Sequence, residues 1–170
     1  MNIFLAVTGS NGAILAKRAV DVLSEEHCVI ISATEQGEQQ FLDECGVELY
    51  DFLRRKQRVV KYSEKHLEIV DCMLILPCSP SCIGSLASGC HNSLLTGAAD
   101  RILAEQKRLV LAVGEPILSS VTLKNLERLS TLGALVCPIV SQFSKHRTVD
   151  KMYDVTLSQI LHFCGIEAKF

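Results

Sequence analysis

The sequence predicts a doubly wound α/β fold in which a parallel sheet lies between two layers of helices. Short apolar runs of strand length alternate with helix-like segments along the whole chain, which is typical of strands joined by helical crossovers. The run Cys72 to Leu76, which ends at Pro77, is apolar throughout, as in a strand buried on both faces. Because no linker, repeat or low-complexity tract interrupts the alternation, we expect a single domain over residues 1–170.

Composition and charge exclude several classes of protein. Hydrophobic residues make up 48% of the chain and charged residues 21%, with a net charge of -2, so neither a nucleic acid nor a membrane surface is an expected partner. The longest apolar runs fall well short of the roughly 20 residues that a transmembrane helix needs. The opening MNIFLAVTGS has no basic segment and runs into a glycine turn, which predicts a first strand, no signal peptide and a cytoplasmic location.

Eight cysteines are scattered through the chain, mostly inside apolar runs, where cysteine behaves as a small hydrophobic residue. A disulfide framework is not expected for a chain of this size without an export signal. Only Cys78, Cys82 and Cys90 could converge, and the absence of a Cys-x-x-Cys pair argues against zinc or an iron–sulfur cluster. We therefore predict buried or pocket-lining thiols and no metal.

The first strand, Asn2–Val7, is followed by a glycine loop from Thr8 to Ala13 and then by a helix with an apolar face. This order of elements aims backbone N–H groups and the helix dipole at a phosphate. The loop lacks both the dinucleotide fingerprint and the Walker pattern. A second interpretation is therefore a tight turn in which Ser10 or Asn11 caps the helix.

A second strand, His27–Ser32, leads through Thr34 into a helix from about Glu35 to Cys45. Hydroxyl side chains at this junction could cap the helix or hold an anion. The next segment, Val47 to Lys65, shows no clear pattern, and its basic residues indicate either a solvated face or a grip on an acidic substrate. Those basic residues are Arg54, Arg55, Lys56, Arg58 and Lys61.

The central strand opens onto a turn of Cys and Ser residues and then a helix of small residues, Gly84 to Gly89. In such sheets ligands bind at this carboxyl edge, where helix N-termini converge. The polar loop Ser141 to Arg147 could fold over the same edge. The remaining predicted elements are a helix from Leu94 to Gln106, a strand from Arg108 to Val113, a helix from about Thr122 to Thr131, a strand from Ala134 to Cys137 and an amphipathic helix from Val149 to Leu161.

Three parts of the sequence together resemble one group of proteins. They are VTGSNGA after the first strand, ILPCS in the centre, and LLTGAAD followed by KRLVLAVGEP and LKNLERLSTLGALVCP. The chain is similar here to the UbiX-type flavin prenyltransferases, whose superfamily of homo-oligomeric flavoproteins also holds the phosphopantothenoylcysteine and peptidyl-cysteine decarboxylases. The resemblance implies a Rossmann-like, flavodoxin-like subunit that binds FMN at a subunit interface, usually in a trimer or dodecamer.

The resemblance, together with the hydroxyls at the strand ends, points to the residues expected to hold the flavin. These are Gly9, Ser10, Asn11, Ser32, Thr34, Ser79, Ser81, Cys82, Gly114 and Glu115. Hydroxyls and backbone N–H groups suit a phosphate without a basic side chain. We therefore expect FMN as the cofactor.

Prenyl transfer needs cations that hold dimethylallyl phosphate and stabilise the departing phosphate. The resemblance implies that this chain has replaced most of the family's residues for that step. The replacements are Gly97, Ala104, Gly114, Gln159 and, at or near the family's Tyr, Ser144. Glu115 and Glu44 keep an acidic side chain, and Lys145, His146 and Arg147 could substitute in part for the cations.

The decarboxylase branch also matches poorly. Ser81 stands where its turn carries Asn, and the histidines of this chain are isolated, with only His91 expected near a pocket. The leading hypothesis is an FMN-binding protein that uses its flavin for redox chemistry on a small substrate or electron acceptor, or carries it. Because the cofactor supplies that chemistry, no catalytic side chain is assigned. The alternatives are a divergent flavin prenyltransferase that serves a partner decarboxylase, and a structural subunit without a cofactor.

Overall fold

The computed structural model describes residues 1–140 and 148–168. Its six strands form one parallel sheet in the order β3-β2-β1-β4-β5-β6. The strands are β1 (Asn2–Val7), β2 (Cys28–Ala33), β3 (Val59–Lys61), β4 (Cys72–Ile75), β5 (Arg108–Val113) and β6 (Leu135–Pro138). The helices are α1 (Ala13–Glu26), α2 (Glu35–Cys45), α3 (Leu49–Leu53), α4 (Pro80–Ala87), α5 (Leu94–Ala104), α6 (Ser120–Thr131) and α7 (Val149–Phe163), with a 3₁₀ helix at Glu64–Ile69.

The sheet separates two apolar layers, as expected from the alternation of side chains along a strand. Ile3, Leu5 and Val7 of β1 pack with α1, α2, α3 and α7, while Phe4 and Ala6 pack with α4, α5 and α6. All five of these side chains are fully buried, which explains why the strand is apolar without interruption. The predicted three-layer α/β sandwich is confirmed.

The strand order 3-2-1-4-5-6 is that of the Rossmann fold. Without the three-residue edge strand β3, the other five strands follow the flavodoxin order, so both descriptions used for the sequence apply. The direction of strand succession reverses between β1 and β4. In sheets of this kind, ligands bind at the carboxyl edge beside such a switch point.

Several boundaries differ from those predicted from sequence. The helix of small residues begins at Pro80 instead of Gly84, because Ser79 caps it and proline is favourable in the first turn. The segment without a clear pattern contains α3 and the short strand β3, whose exposed edge position leaves little apolar signal. No helix in residues 1–140 or 148–168 has both the length and the apolar character needed to cross a membrane.

Candidate functional site

A cavity of about 480 Å³ lies at the carboxyl edge of the sheet, between the loops after β1, β2 and β4. Its lining is rich in hydroxyl and amide side chains, and none of the described lining residues carries a charge. The lining residues are Gly9, Thr34, Gln36, Ser79, Pro80, Ser81, Cys82, Ser85, Asn92, Ser93, Leu95 and Thr96. The cavity can therefore offer many hydrogen bonds without a formal charge.

Three helices begin at the wall of this cavity, and each is capped by a hydroxyl. The Oγ1 atom of Thr34 accepts from the Gly37 N–H at 3.0 Å, and the Oγ atom of Ser79 accepts from the Cys82 N–H at 3.3 Å. Ser93 likewise caps α5 by accepting from the N–H of Thr96 at 3.2 Å. The N-termini of α2, α4 and α5 thus meet at one place, and each contributes partial positive charge.

A buried threonine fixes two of the loops to each other. The Thr8 hydroxyl donates to the carbonyl oxygen of Pro77 at 2.8 Å and accepts from the Ser79 N–H at 2.8 Å. Both partners are backbone groups, so the Thr8 hydroxyl ties the loop after β1 to the turn after β4 without requiring a particular side chain in that turn. Sequence reasoning did not single out Thr8, since only the folded chain brings it beside residues about 70 positions away.

The N-terminus of α1 is occupied by a carboxylate from α2. The two Glu44 oxygens accept from the N–H groups of Gly12 and Ile14, each at 3.0 Å. The prediction that Ser10 or Asn11 caps this helix is wrong, because the cap residue is Gly12 and it makes no side-chain cap bond. The two N–H groups that the glycine loop was expected to aim at a phosphate already have an anionic partner.

The loops after β1 and β5 meet beside the cavity. The Ser10 hydroxyl donates to the Glu115 carboxylate at 2.7 Å. A Cβ atom on Gly114 would lie 2.0 Å from the carbonyl oxygen of Asn11, so glycine is what allows the two loops to touch. These four predicted residues are brought together, but none of them is in the lining of the cavity.

The remaining predicted site residues divide between wall and surroundings. Gly9, Thr34, Ser79, Ser81 and Cys82 line the cavity, whereas the partly buried Ser32 lies in β2 outside the lining. Sequence reasoning missed the second wall, which includes Ser85, Asn92, Ser93 and Thr96. The available signal was Ser93 followed by Thr96 three positions later, which is the spacing of a reciprocal helix cap.

The three cysteines that could converge do so only in part. Cys78 is fully buried beside Cys82, whereas Cys90 is exposed. The hydrogen bond with the Cys82 thiol, followed by burial, raises the pKa of Cys78 well above its usual value. Within residues 1–140 and 148–168, no three His, Cys, Asp or Glu side chains are grouped in a way that could hold a metal ion.

A second cavity of about 390 Å³ shares Asn92 and Ser93 with the first. Arg101 and His91 contribute to its lining, and the Nε2 atom of His91 lies 3.2 Å from the Oδ2 atom of Asp100. The position of Gly97, which also lines this cavity, is open: a Cβ atom built there meets no heavy atom within 4 Å. His91 is thus near a pocket, as predicted, but it is half-exposed and paired with a carboxylate.

The basic run after α3 has the character of a solvated face. Arg54, Arg55, Arg58 and Lys61 are exposed, and Lys56 forms an ion pair with Asp21. None of them lines the cavity at the carboxyl edge. The predicted loop Ser141 to Arg147, including Ser144 and the three cationic residues that follow it, lies outside the described residues.

The parallel sheet in Rossmann order, with a polar cavity beside its switch point, defines an α/β protein of the Rossmann class. The chain belongs to the Flavoprotein family, whose sequence profile matches residues 1–163. This membership confirms the superfamily suggested by the sequence motifs.

Curated relatives with similar sequences extend along nearly the whole chain. The chain is 30% identical over 182 residues to the flavin prenyltransferase UbiX of Archaeoglobus fulgidus, and the match covers 100% of this chain and 98% of that protein. The flavin prenyltransferase UbiX of Pseudomonas aeruginosa is 30% identical over 188 residues, with 96% of this chain and 89% of that protein covered.

Solved structures show the same fold. The crystal structure of AnUbiX (PadA1) in complex with FMN and dimethylallyl pyrophosphate has a TM-score of 0.89 at 23% identity, covering 98% of this chain and 93% of that one. A dodecameric FMN-dependent UbiX-like decarboxylase from Escherichia coli O157:H7 also has a TM-score of 0.89 at 23% identity, with coverage of 98% and 95%.

Proposed function

We propose that this chain binds FMN in the cavity at the carboxyl edge of the sheet. The observation that carries the proposal is the convergence of the N-termini of α2, α4 and α5 on one hydroxyl-rich cavity. Membership of the Flavoprotein family supports the flavin, and the FMN in the complex of the similar AnUbiX structure supports the mononucleotide form.

The residues present fit such a ligand. The volume of about 480 Å³ falls within the range of roughly 300–1,000 Å³ that is usual for small-molecule sites. Helix N-termini and hydroxyls such as Ser81 can hold a phosphate without a cation, and Asn92 and Gln36 offer amide groups to the polar edge of a ring system. When bound, FMN supplies the electron-transfer or nucleophilic chemistry, and the protein orients it.

Glu44 limits where the FMN phosphate can bind. A carboxylate on the N–H groups of Gly12 and Ile14 repels a second anion at the start of α1, and the first turn of α2 separately contains Glu35 and Glu38. The first turns of α4 and α5 contain no acidic residue. We therefore place the phosphate on the side of the cavity formed by these two helix starts, where Ser79, Ser81 and Ser93 lie.

A charge reversal at the mouth of the cavity tests this site. Ser81 is exposed in the first turn of α4, so Ser81→Glu is expected to fold and to lower FMN affinity at least tenfold by placing a carboxylate against the phosphate. Ser120→Glu is the matched control, because Ser120 is also exposed in a helical first turn but lies outside the cavity. FMN titration followed by flavin fluorescence should separate the two variants; equal affinities would place the flavin elsewhere.

Two reactions are compatible with a flavin in this cavity, and each has its own support. Among residues 1–140 and 148–168 the lining is uncharged, which favours redox chemistry or flavin carriage, because these residues offer a departing phosphate no cation to stabilise it. Both curated relatives described above are named flavin prenyltransferase UbiX, which favours prenyl transfer. We propose prenyl transfer as the second candidate on that ground, in an assembly of several copies like the dodecameric relative.

Mass analysis of the released flavin separates the two reactions. The protein is incubated with FMN, dimethylallyl phosphate and a reductant, then denatured, and the flavin is recovered. Unmodified FMN supports the redox or carrier role, whereas a flavin heavier by one prenyl unit supports prenyl transfer. If the protein retains no flavin after this incubation, the result would support a structural subunit and contradict the proposed site.

A further inference from the structure

The second cavity, of about 390 Å³, has no role in the flavin site described so far. It adjoins the first cavity, because Asn92 and Ser93 line both. Its volume falls within the range of roughly 300–1,000 Å³ that is usual for small-molecule sites. A molecule bound there would therefore lie next to a flavin held in the first cavity.

Part of the lining of the second cavity is aromatic and apolar. Tyr62 follows β3 at the carboxyl edge of the sheet, and its ring stacks on the buried Phe4 ring with 4.5 Å between the centroids. Leu67 and Ala98 are further lining residues, and both are buried. The stacking restrains the Tyr62 ring, so these residues form a firm surface for a flat or apolar molecule.

Gly97 keeps the second cavity open on the side of α5. A Cβ atom built there meets no heavy atom within 4 Å, so nothing in the described chain fills this space. Arg101 lies four positions later in the same helix, and residues at this spacing share one face. Because both residues line the cavity, the missing side chain at Gly97 gives a ligand access to the guanidinium of Arg101.

Arg101 gives the second cavity a permanent positive charge, which the described lining of the first cavity lacks. Its hydrogen bond to Glu105 uses the Nε atom, at 2.7 Å, so this bond does not occupy the two terminal nitrogens. Those nitrogens can hold both oxygens of a carboxylate. The pair of His91 and Asp100 adds no net positive charge, and Glu64 and Glu105 disfavour a dianion, so a monoanion fits best.

We propose that the second cavity binds a small molecule with one carboxylate and a flat or apolar body, and that this molecule is the second reactant of the flavin site. The carboxylate pairs with the terminal nitrogens of Arg101, and the body lies beside Gly97 and against Tyr62. Its role as a reactant rests on the proposed flavin site, because the two ligands meet at residues that line both cavities. Binding of the carboxylate does not itself require the flavin.

A ligand-observed NMR titration with benzoate, with and without saturating FMN, tests this site. Benzamide is the uncharged probe of nearly the same shape, and benzoate should bind about three- to tenfold more tightly, as expected for a bidentate pair with a partly exposed arginine. Arg101→Gln should remove this preference. Arg128→Gln is the matched control and should keep it, because Arg128 is also exposed in the last turn of a helix but lies outside the cavity.

A second variant tests the space and not the charge. Gly97→Leu is compatible with the helix and places a side chain in the open part of the cavity, so it should abolish binding of both probes. In the FMN-loaded wild-type protein, benzoate should also shift the absorption spectrum of the flavin. The same addition to FMN-loaded Gly97→Leu should leave that spectrum unchanged.

The outcomes separate the second cavity from the flavin site. Equal affinities for benzoate and benzamide, or wild-type benzoate binding by Arg101→Gln or Gly97→Leu, would overturn the carboxylate site. Tighter binding of phenyl phosphate than of benzoate would overturn the choice of a monoanion. Benzoate binding by a protein that takes up no FMN would support the carboxylate site and overturn its role beside a flavin, as would benzoate binding that leaves the spectrum of bound FMN unchanged.

Discussion

Replacement of Gly114 by alanine is expected to destabilise the protein through the contact between the loops after β1 and β5. The new Cβ atom would lie 2.0 Å from the carbonyl oxygen of Asn11 and 3.5 Å from the Cδ1 atom of Ile139. The Asn11 carbonyl must therefore retreat by about 1 Å, at a cost of about 1–3 kcal/mol for overpacking. The shift also strains the hydrogen bond between Ser10 and Glu115, which is worth about 1 kcal/mol.

Thermal unfolding of three proteins tests this reasoning. A loss of about 2–3 kcal/mol corresponds to a Tm lowered by about 4–12 °C in a chain of this length. Gly97→Ala is the matched control: a Cβ atom there meets nothing within 4 Å, and alanine in a helix interior gains about 0.5–1 kcal/mol, so its Tm should rise by a few degrees. A Gly114→Ala protein as stable as the wild type would refute the steric account of this contact.

Three further predictions concern the surroundings of the site. Thr8→Val should lower the free energy of unfolding in urea by about 2–3 kcal/mol, because the N–H of Ser79 loses its buried acceptor. Glu44→Gln should cost about 1 kcal/mol in the same assay, because an amide leaves one N–H of α1 without an acceptor and removes the charge. Burial, with a smaller contribution from Glu44, raises the pKa of the Cys45 thiol to about 11, so its alkylation should accelerate up to that pH and lag behind exposed Cys90 at neutral pH.

Cys45 also has a consequence for stability. Folding raises its pKa, so the thiol's stabilising contribution is complete below the unfolded value of about 8.5 and is lost as the pH rises through about 11. Cys45→Ala should flatten this alkaline decline, and an unchanged decline would contradict the assignment.

The three predictions above can each fail. Alkylation of Cys45 as fast as that of Cys90 at neutral pH would contradict the burial of Cys45. Wild-type stability of Thr8→Val or of Glu44→Gln would contradict the hydrogen bonds described for those residues.

The class of fold could be predicted because burial on both faces makes parallel strands uniformly apolar. β5 was predicted with its observed bounds because it is an apolar run between polar residues, and α2 because a hydroxyl residue, Thr34, precedes it and Gly46 follows it. β3 could not be predicted: it contains three residues at the edge of the sheet, and its position depends on pairing with β2. Local sequence contains little information about a strand whose stability comes almost entirely from its neighbour.

The site was predictable to the extent that it follows strand ends. Ser79, Ser81 and Cys82 come directly after a buried strand, and sequence position alone places them at the carboxyl edge. The wall formed by the start of α5 and the capping of α1 by Glu44 depend on tertiary packing between distant segments. A helix cap supplied from another helix leaves no local pattern, which is why the sequence offered only Ser10 or Asn11 as alternative caps.

Close backbone packing at Gly37 limits how this cavity can be altered. A Cβ atom there would lie 2.4 Å from the carbonyl oxygen of Val7, so the start of α2 rests directly on the end of β1. On that side of the cavity only the side chains of Thr34 and Gln36 can be shortened, because the backbone of α2 cannot move closer to the sheet. On the opposite side, Ser85, Asn92 and Leu95 offer further side chains that can be shortened or enlarged for a ligand of different size.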